Sequence, residues 1–290
     1  RPTARNSNLR HAASRPLALR QWHVVWLRHD AAQGRLQLGH ARLDTSMMRD
    51  PSSSLVEGAT GEASLSGRDG TLLLAASGVD APRDHFNGKL EAPALWDRAL
   101  LDEELSALAV GAEVAGAVAA WDFAHQADTD RIIDRGSWKL EGVAINTPSR
   151  AVTGSTWTGK EMCFRNAPQQ YSAIHFHEDD IDDCRWPAAF EWTVPDDTRS
   201  AVYALLLEAG VATENVPFHV VPPRGKSTAR LAVLASTITY TIYGNHARPD
   251  FAPSWLEKIS AWKAYPNNPS QYRHYGLSTY NNHTDGSGIC

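Results

Sequence analysis

Seven prolines fall between residues 148 and 223, at positions 148, 168, 187, 195, 217, 222 and 223. Each fixes its own φ near −65° and removes a backbone donor, so an uninterrupted helix can cross none of them. Short apolar runs lie between them, and two of these, Ala201-Val-Tyr-Ala-Leu-Leu-Leu207 and Phe218-His-Val-Val221, have the length and content of strands. Residues 148–225 therefore read as a β-rich domain ending in the linker Pro222-Pro-Arg-Gly225.

The residues before that region are also β-rich. Trp22-His-Val-Val-Trp-Leu-Arg28, a turn at Asp30-Ala-Ala-Gln-Gly34, and Arg35-Leu-Gln-Leu-Gly-His-Ala-Arg-Leu43 give strand, turn and strand. A second strand pair is predicted around Thr71–Ser77 and Phe86–Trp96, then a helix from the spacing of Leu100, Leu101, Leu105 and Leu108, then a strand from the alternation of Ala119-Ala-Trp-Asp-Phe123. After the linker, Leu231-Ala-Val-Leu-Ala235 is continuously apolar, as a buried parallel strand opening an α/β unit would be. The expected organisation is thus a β-rich domain over 1–147, a second β-rich domain over 148–225 of immunoglobulin-like type, and the start of an α/β domain over 226–290.

Composition excludes several classes of function. The chain has 290 residues, 42% hydrophobic and 21% charged, which is ordinary for a globular protein with a sizeable core. A net charge of −5 with no basic run argues against nucleic acid, which needs clustered Lys and Arg. No stretch approaches the roughly 18 apolar residues of a membrane span. Three widely separated cysteines, Cys163, Cys184 and Cys290, suit reduced thiols in a cytoplasm better than a disulfide framework. The chain opens at Arg1 and closes on Tyr275-Gly-Leu-Ser-Thr-Tyr-Asn-Asn-His-Thr-Asp-Gly-Ser-Gly-Ile-Cys290, dense in glycine and functional groups. The expectation is an internal piece of a longer protein, with a site interrupted at its end.

Two clusters could carry chemistry. Between His175 and Asp183 stand two histidines and five acids, and His175 and His177 would share one strand face, so a metal site is geometrically possible. Acidic runs more often end strands in solvated turns, and no third ligand pattern follows, so the solvated reading is preferred. The second cluster comprises Tyr240 and Tyr280, with Tyr243 competing for the first place. Tyr240 falls at the carboxyl end of the expected parallel strand, where open sheets place ligands, whereas Tyr243 would face the opposite side. His283, Asp285 and Asn281 follow Tyr280 closely enough to serve as catalytic or supporting groups, and Asn245 adjoins the first tyrosines.

At this point the residues carry a resemblance. Trp22-His23 leading a hairpin, His85-Phe-Asn-Gly-Lys-Leu-Glu91, Leu95-Trp-Asp-Arg-Ala-Leu100 and Glu103-Glu-Leu105 resemble the closing half of a laminin-G or concanavalin-like sandwich. Gln170-Tyr-Ser-Ala-Ile-His-Phe-His-Glu-Asp-Asp180, Val194-Pro-Asp-Asp197, Val216-Pro-Phe-His219, Ser236-Thr-Ile-Thr-Tyr-Thr-Ile-Tyr-Gly-Asn245 and Leu277-Ser-Thr-Tyr-Asn-Asn-His-Thr-Asp-Gly-Ser287 together resemble the large (beta) subunit of N,N-dimethylformamidase. The resemblance covers nearly the whole chain. It implies hydrolysis of a small N-substituted amide by a hetero-oligomer with a small accessory subunit, using a mononuclear iron, Fe3+, held by two tyrosines and one glutamate. By motif the tyrosines map onto Tyr240 and Tyr280, and the glutamate would lie beyond Cys290. Phenolate and carboxylate are hard anionic ligands suited to a ferric Lewis acid. The piece alone is expected to be inactive and prone to aggregate. The rival from another class is a carbohydrate- or protein-binding β module without activity. A glutamine-amidotransferase-like protein is disfavoured, because no Gly-x-Cys-x-Gly elbow is present.

Overall fold

The computed structural model describes residues 16–43, 54–59, 70–227, 229–244, 246 and 276–289, with isolated positions between 254 and 261. Asn245 and Cys290, both singled out from sequence, lie outside the described residues. The protein is mainly β and divides into two units, one running to Asp182 and including the segment from Asn281, the other spanning Asp183–Tyr280.

In the first unit, β1 (His23–Asp30), β2 (Arg35–Arg42) and β3 (Ser54–Ala59) form an antiparallel sheet in that order. The first turn follows from its residues: Asp30 Oδ1 accepts the Gln33 amide at 3.0 Å, and Gly34 takes φ 61°, a left-handed value that glycine adopts freely. Trp26 lies opposite Gly39 across the pair, and a Cβ at Gly39 would stand 2.3 Å from the indole, so glycine is what lets that ring lie over the strand. The strand pair expected over Thr71–Ser77 and Phe86–Trp96 is not formed as such. Residues 71–77 contribute a single bridge, Ser77 to Arg83, and the second segment yields β4 (Gly88–Glu91) and β5 (Ala94–Leu95), which join different sheets. Pairing partners come from elsewhere in the chain, which local alternation cannot reveal.

The leucine spacing does give a helix, α1 (Asp102–Ala109), with Leu100 and Leu105 buried. Its start is set by Glu104, whose carboxylate accepts the Leu101 amide at 2.8 Å and two Arg98 N–H groups at 2.6 Å. These contacts hold the Glu104 carboxyl down to about 2, the Arg98 guanidinium being the largest cause and the amide the second. Beyond it, β6 (Ala119–Asp122), β7 (Arg131–Asp134) and β8 (Gly142–Val143) continue from β5 as a four-stranded antiparallel sheet. β9 (Ser149–Val152) and β10 (Ala173–Phe176) complete a sheet in the order β4-β10-β9, so strands from both sides of position 147 belong to one sheet.

The core lies where the β5–β8 and β4-β10-β9 sheets meet. Ala119, Trp121, Phe123, Ile132 and Ile174 are buried together, with Leu90, Ala144 and Phe176 against them. Alternation along Ala119–Phe123 is as expected, the odd positions buried and the even ones part-exposed. Beside this core, the Asp134 carboxylate accepts the amides of Ala120, Gly136 and Leu140 at 2.7, 2.7 and 2.6 Å. Burial alone would raise its pKa, but the three amides outweigh burial and hold it below the ordinary carboxylate range.

The second unit contains the antiparallel hairpin β11 (Ala201–Ala209) and β12 (Ala212–Val220), turning at Gly210 with φ 62°. β11 falls on the expected run Ala201–Leu207, whereas β12 begins six residues before the expected Phe218 and passes through Pro217, which stands opposite Ala204. The strand expected at Leu231–Ala235 is absent: Leu231, Val233 and Leu234 are 88%, 91% and 97% exposed, and a helix, α2 (Thr237–Tyr243), follows. A continuous apolar run becomes a buried strand only when neighbours cover both faces, and no described strand pairs with this one. Neither cysteine described, Cys163 nor Cys184, is in a disulfide.

Candidate metal centre

Two groups of metal-ligating side chains stand out, one in each unit. The first begins at β10, which ends at Phe176 and turns at once. Asp180 caps this turn, its Oδ2 accepting the His177 amide at 2.8 Å, while Asn87 Oδ1 accepts the Glu178 amide at 2.7 Å. His177 leaves the strand 4% exposed, with Asp180 beneath it.

The other half comes from the chain's last described segment. The His283 amide donates to Ser287 O at 2.9 Å, Gly286 closes the turn with φ 87°, and a bridge joins Asn282 to Gly288. Asp285 Oδ1 accepts both the amide and the hydroxyl of Ser287, at 2.8 and 2.6 Å. This loop lays the His283 ring flat on the His177 ring, centroids 3.6 Å apart and planes 1° from parallel. Around the stack, His283 Nδ1 meets Asp179 Oδ1 at 2.7 Å, His177 Nε2 meets Ser287 Oγ at 2.9 Å, and His177 Nδ1 meets Asp180 Oδ1 at 3.2 Å. His175 Nε2 lies 3.1 Å from Asp285 Oδ2, and its ring lies 4.0 Å from that of His177.

Burial, and then the neighbouring His177, push the His175 imidazole down to about 4. Burial pushes the Asp180 carboxyl up. For Asp285, burial acts in the same upward direction, but the two Ser287 hydrogen bonds and the nearby histidines prevail and bring it to about 2. Two sets, His177 with Asp180 and His283, and His175 with His177 and Asp285, each bring three donor atoms within 4.8 Å of one another.

The second group holds the tyrosines. Ser278 Oγ and Thr279 Oγ1 both donate to Ile242 O, at 2.8 and 3.0 Å, tying the segment before Tyr280 to α2. That tie stacks Tyr280 on Tyr243, centroids 4.6 Å apart and planes 23° from parallel, with the His246 ring 5.5 Å from Tyr280 and 5.6 Å from Tyr243. A hydrogen bond with Tyr243 is the largest cause that raises the Tyr280 phenol above its ordinary value. Tyr240 instead lies 6.4 Å from the His219 ring. Because the segment is helical, Tyr240 and Tyr243 are one turn apart, on neighbouring positions of one surface, and not on the opposite faces a strand would impose. All three phenols are solvent-accessible, at 65%, 51% and 56% for Tyr240, Tyr243 and Tyr280.

Of the residues chosen from sequence, the structure brings His283 and Asp285 together with His175 and His177, and it brings Tyr280 to Tyr243. Asn281 is half-buried where the chain passes into the His283 loop. The set sequence reasoning underrated is the His177–Asp180 turn, whose third partner lies more than a hundred residues away. No spacing rule links His177 to His283. As to donor chemistry, the paired phenols of Tyr243 and Tyr280 are hard oxygen ligands that fit a ferric ion once deprotonated.

A β-rich protein carrying one imidazole–carboxylate cluster and one pair of stacked phenols is, in class, a candidate metalloprotein. Residues 149–290 match the family described as N,N-dimethylformamidase beta subunit-like, C-terminal. The N,N-dimethylformamidase beta subunit of Paracoccus aminophilus is 39% identical over 237 residues, covering 76% of this chain and 31% of that protein. That of an Alcaligenes species is 32% identical over 303 aligned positions, covering 96% of this chain and 40% of the relative. The chain belongs to the N,N-dimethylformamidase beta-subunit family, and spans less than half the length of these curated relatives.

Proposed function

We propose that the protein of which this chain is part hydrolyses a small N-substituted amide such as N,N-dimethylformamide, giving formate and dimethylamine. The names of its relatives support the reaction, and their designation as a beta subunit supports a hetero-oligomer with a small accessory subunit. The observation that carries the site is the Tyr243–Tyr280 pair, pinned by Ser278 and Thr279 to the end of α2. Tyr280 is one ligand of a ferric ion, and Tyr243 or Tyr240 the second; the contact with Tyr280 favours Tyr243. A glutamate would complete the set from outside this chain. The first unit acts as a laminin-G-like scaffold, and the widely spaced cysteines, of which Cys163 and Cys184 are in no disulfide, suit a reducing cytoplasm.

A tertiary amide has a strong C–N bond and a poor leaving amine. When bound, a ferric ion supplies a Lewis acid that polarises a carbonyl oxygen or acidifies water without redox change. The chain's own contribution is to present two phenols as anions. Tyrosine titrates near 10 in water, and the Tyr243–Tyr280 hydrogen bond raises Tyr280 further, so the phenols become phenolates only where a cation replaces the shared proton. In the overall reaction water adds its oxygen to the acyl carbon, the C–N bond breaks, and the amine leaves with a proton. His283 and Asp285, which sequence marks as catalytic, have polar partners already, in Asp179 and Ser287. We assign them to organising the loop that follows Tyr280 and not to proton transfer.

The full-length protein with its accessory subunit should hydrolyse N,N-dimethylformamide and show a visible phenolate-to-iron charge-transfer band that disappears in Tyr280→Phe. A colourless, iron-free preparation with full turnover contradicts this reading and leaves the binding-module class as the alternative.

A further inference from the structure

The His177–Asp180–His283 cluster lies in the first unit and is distinct in its residues from the tyrosine pair. Its hydrogen bonds fix which ring nitrogens carry protons. Asp285 Oδ1 takes the Ser287 hydroxyl proton, so Ser287 Oγ is left to accept from His177 Nε2. Asp179 Oδ1 can only accept from His283 Nδ1. The outer nitrogens, His177 Nε2 and His283 Nδ1, are thus engaged, which leaves His177 Nδ1 and His283 Nε2 as the ring atoms that face inward. Those two nitrogens lie 3.2 and 3.9 Å from the same atom, Asp180 Oδ1. The other Asp180 oxygen is occupied by the His177 amide. Three potential ligand atoms thus converge in a place where the His177, His283 and Asp180 side chains are only 1%, 4% and 10% exposed.

Buried groups of this kind are paired with one another or coordinate a metal ion. We propose that His177 Nδ1, His283 Nε2 and Asp180 Oδ1 bind a divalent first-row cation of the zinc class, which clasps the 282–288 loop to the turn after β10. Zinc takes imidazole nitrogen and carboxylate oxygen at about 2.0–2.2 Å, which places tetrahedral donors roughly 3.3–3.6 Å apart. One donor from each residue already lies within 4.8 Å of the others, and binding would turn the two stacked rings, now 1° from parallel, so that their planes meet at the ion. The outer partners agree, because metal-bound histidines commonly donate their remaining N–H to a carboxylate or hydroxyl, as Asp179 and Ser287 receive them here. The overlapping set of His175, His177 and Asp285 is the poorer choice, being more open and using the His177 nitrogen that already binds Ser287.

The test uses the full-length holoenzyme, with zinc and iron quantified separately by mass spectrometry. We expect about one zinc per chain beside the iron. After chelation, added Zn2+ should raise the melting temperature where Mg2+ does not, and Co2+ should give the visible absorption of a tetrahedral site. Asp179→Asn, which removes an outer partner, should weaken zinc binding about 10–100-fold. His283→Gln should abolish zinc binding and leave iron content unchanged. Wild-type protein that binds neither Zn2+ nor Co2+ and melts identically with and without them holds a shared proton only, and overturns the proposal. Loss of iron and not zinc in His283→Gln overturns it too, because the clasp would then be an iron site. Loss of iron only in Tyr280→Phe would leave the tyrosine reading intact in either case.

Discussion

The two units make their strands in the same way and bury them very differently. In the first, sheets close on Ile174, Ala119 and Phe123, which are 1%, 0% and 2% exposed, and even its polar groups, Asp134 and His177, are interior. In the second, β11 and β12 pair along their whole length, yet Val202, Leu206 and Leu207 remain 65%, 55% and 47% exposed, and Ser278 is the one buried residue among those described. Hairpin pairing is local, satisfied by main-chain hydrogen bonds between neighbours in sequence. Burial is not local, and a two-stranded ribbon cannot supply it alone. The first unit therefore has the features of a self-supporting core, and the second presents apolar surface that its own described residues do not cover.

Several measurements would sharpen or break this contrast. The largest effect is expected in the core, where Trp121→Ala should cost about 3–5 kcal/mol and Ile174→Ala about 2–5 kcal/mol in urea denaturation. Next is Asp134→Ala, which strands three amides and should cost about 3 kcal/mol. Asp134 also sets a pH dependence. Its folded pKa lies below the ordinary 3.8, so its stabilisation is present above that value and is lost as pH falls through the folded value. Asp134→Asn should flatten the acid limb of the stability curve below pH 3.8, and an unchanged limb would remove the group from the account. Gly39→Ala should cost about 1–3 kcal/mol, because its methyl must displace the Trp26 ring. The smallest effects belong to the second unit: Val233→Ser and Leu234→Ser should change the stability of this chain by less than about 0.5 kcal/mol. A loss of 2 kcal/mol or more at either position would mean that they are buried, and the contrast would fail.

The same contrast explains what sequence could and could not convey. Alternation at Ala119–Phe123 and leucine spacing at Leu100–Leu108 report one buried face, and both elements formed where a core exists to receive that face. Leu231–Ala235 carries an equally clear apolar signal, but a signal for burial is met only if a partner is present, so Leu231, Val233 and Leu234 stay exposed and outside any strand, and α2 starts six residues after Leu231. That shift moves Tyr240 and Tyr243 from opposite strand faces to adjacent helix positions, which is why Tyr243 and not Tyr240 meets Tyr280. The residue types of the tyrosine site were legible in sequence; their pairing depended on the helix. For the histidine cluster, the turn at His177–Asp180 was visible as a run of acids, but its ligand set required a loop from the far end of the chain, and such long-range closure leaves no periodic trace.

The central claim, that Tyr280 is a ligand to the iron of an amide hydrolase, is tested most directly by iron content and N,N-dimethylformamide turnover in the full-length assembly, wild type beside Tyr280→Phe. The account predicts stoichiometric iron and activity in the wild type, both lost together in the variant. Tyr280→Phe that keeps its iron and its turnover would contradict it.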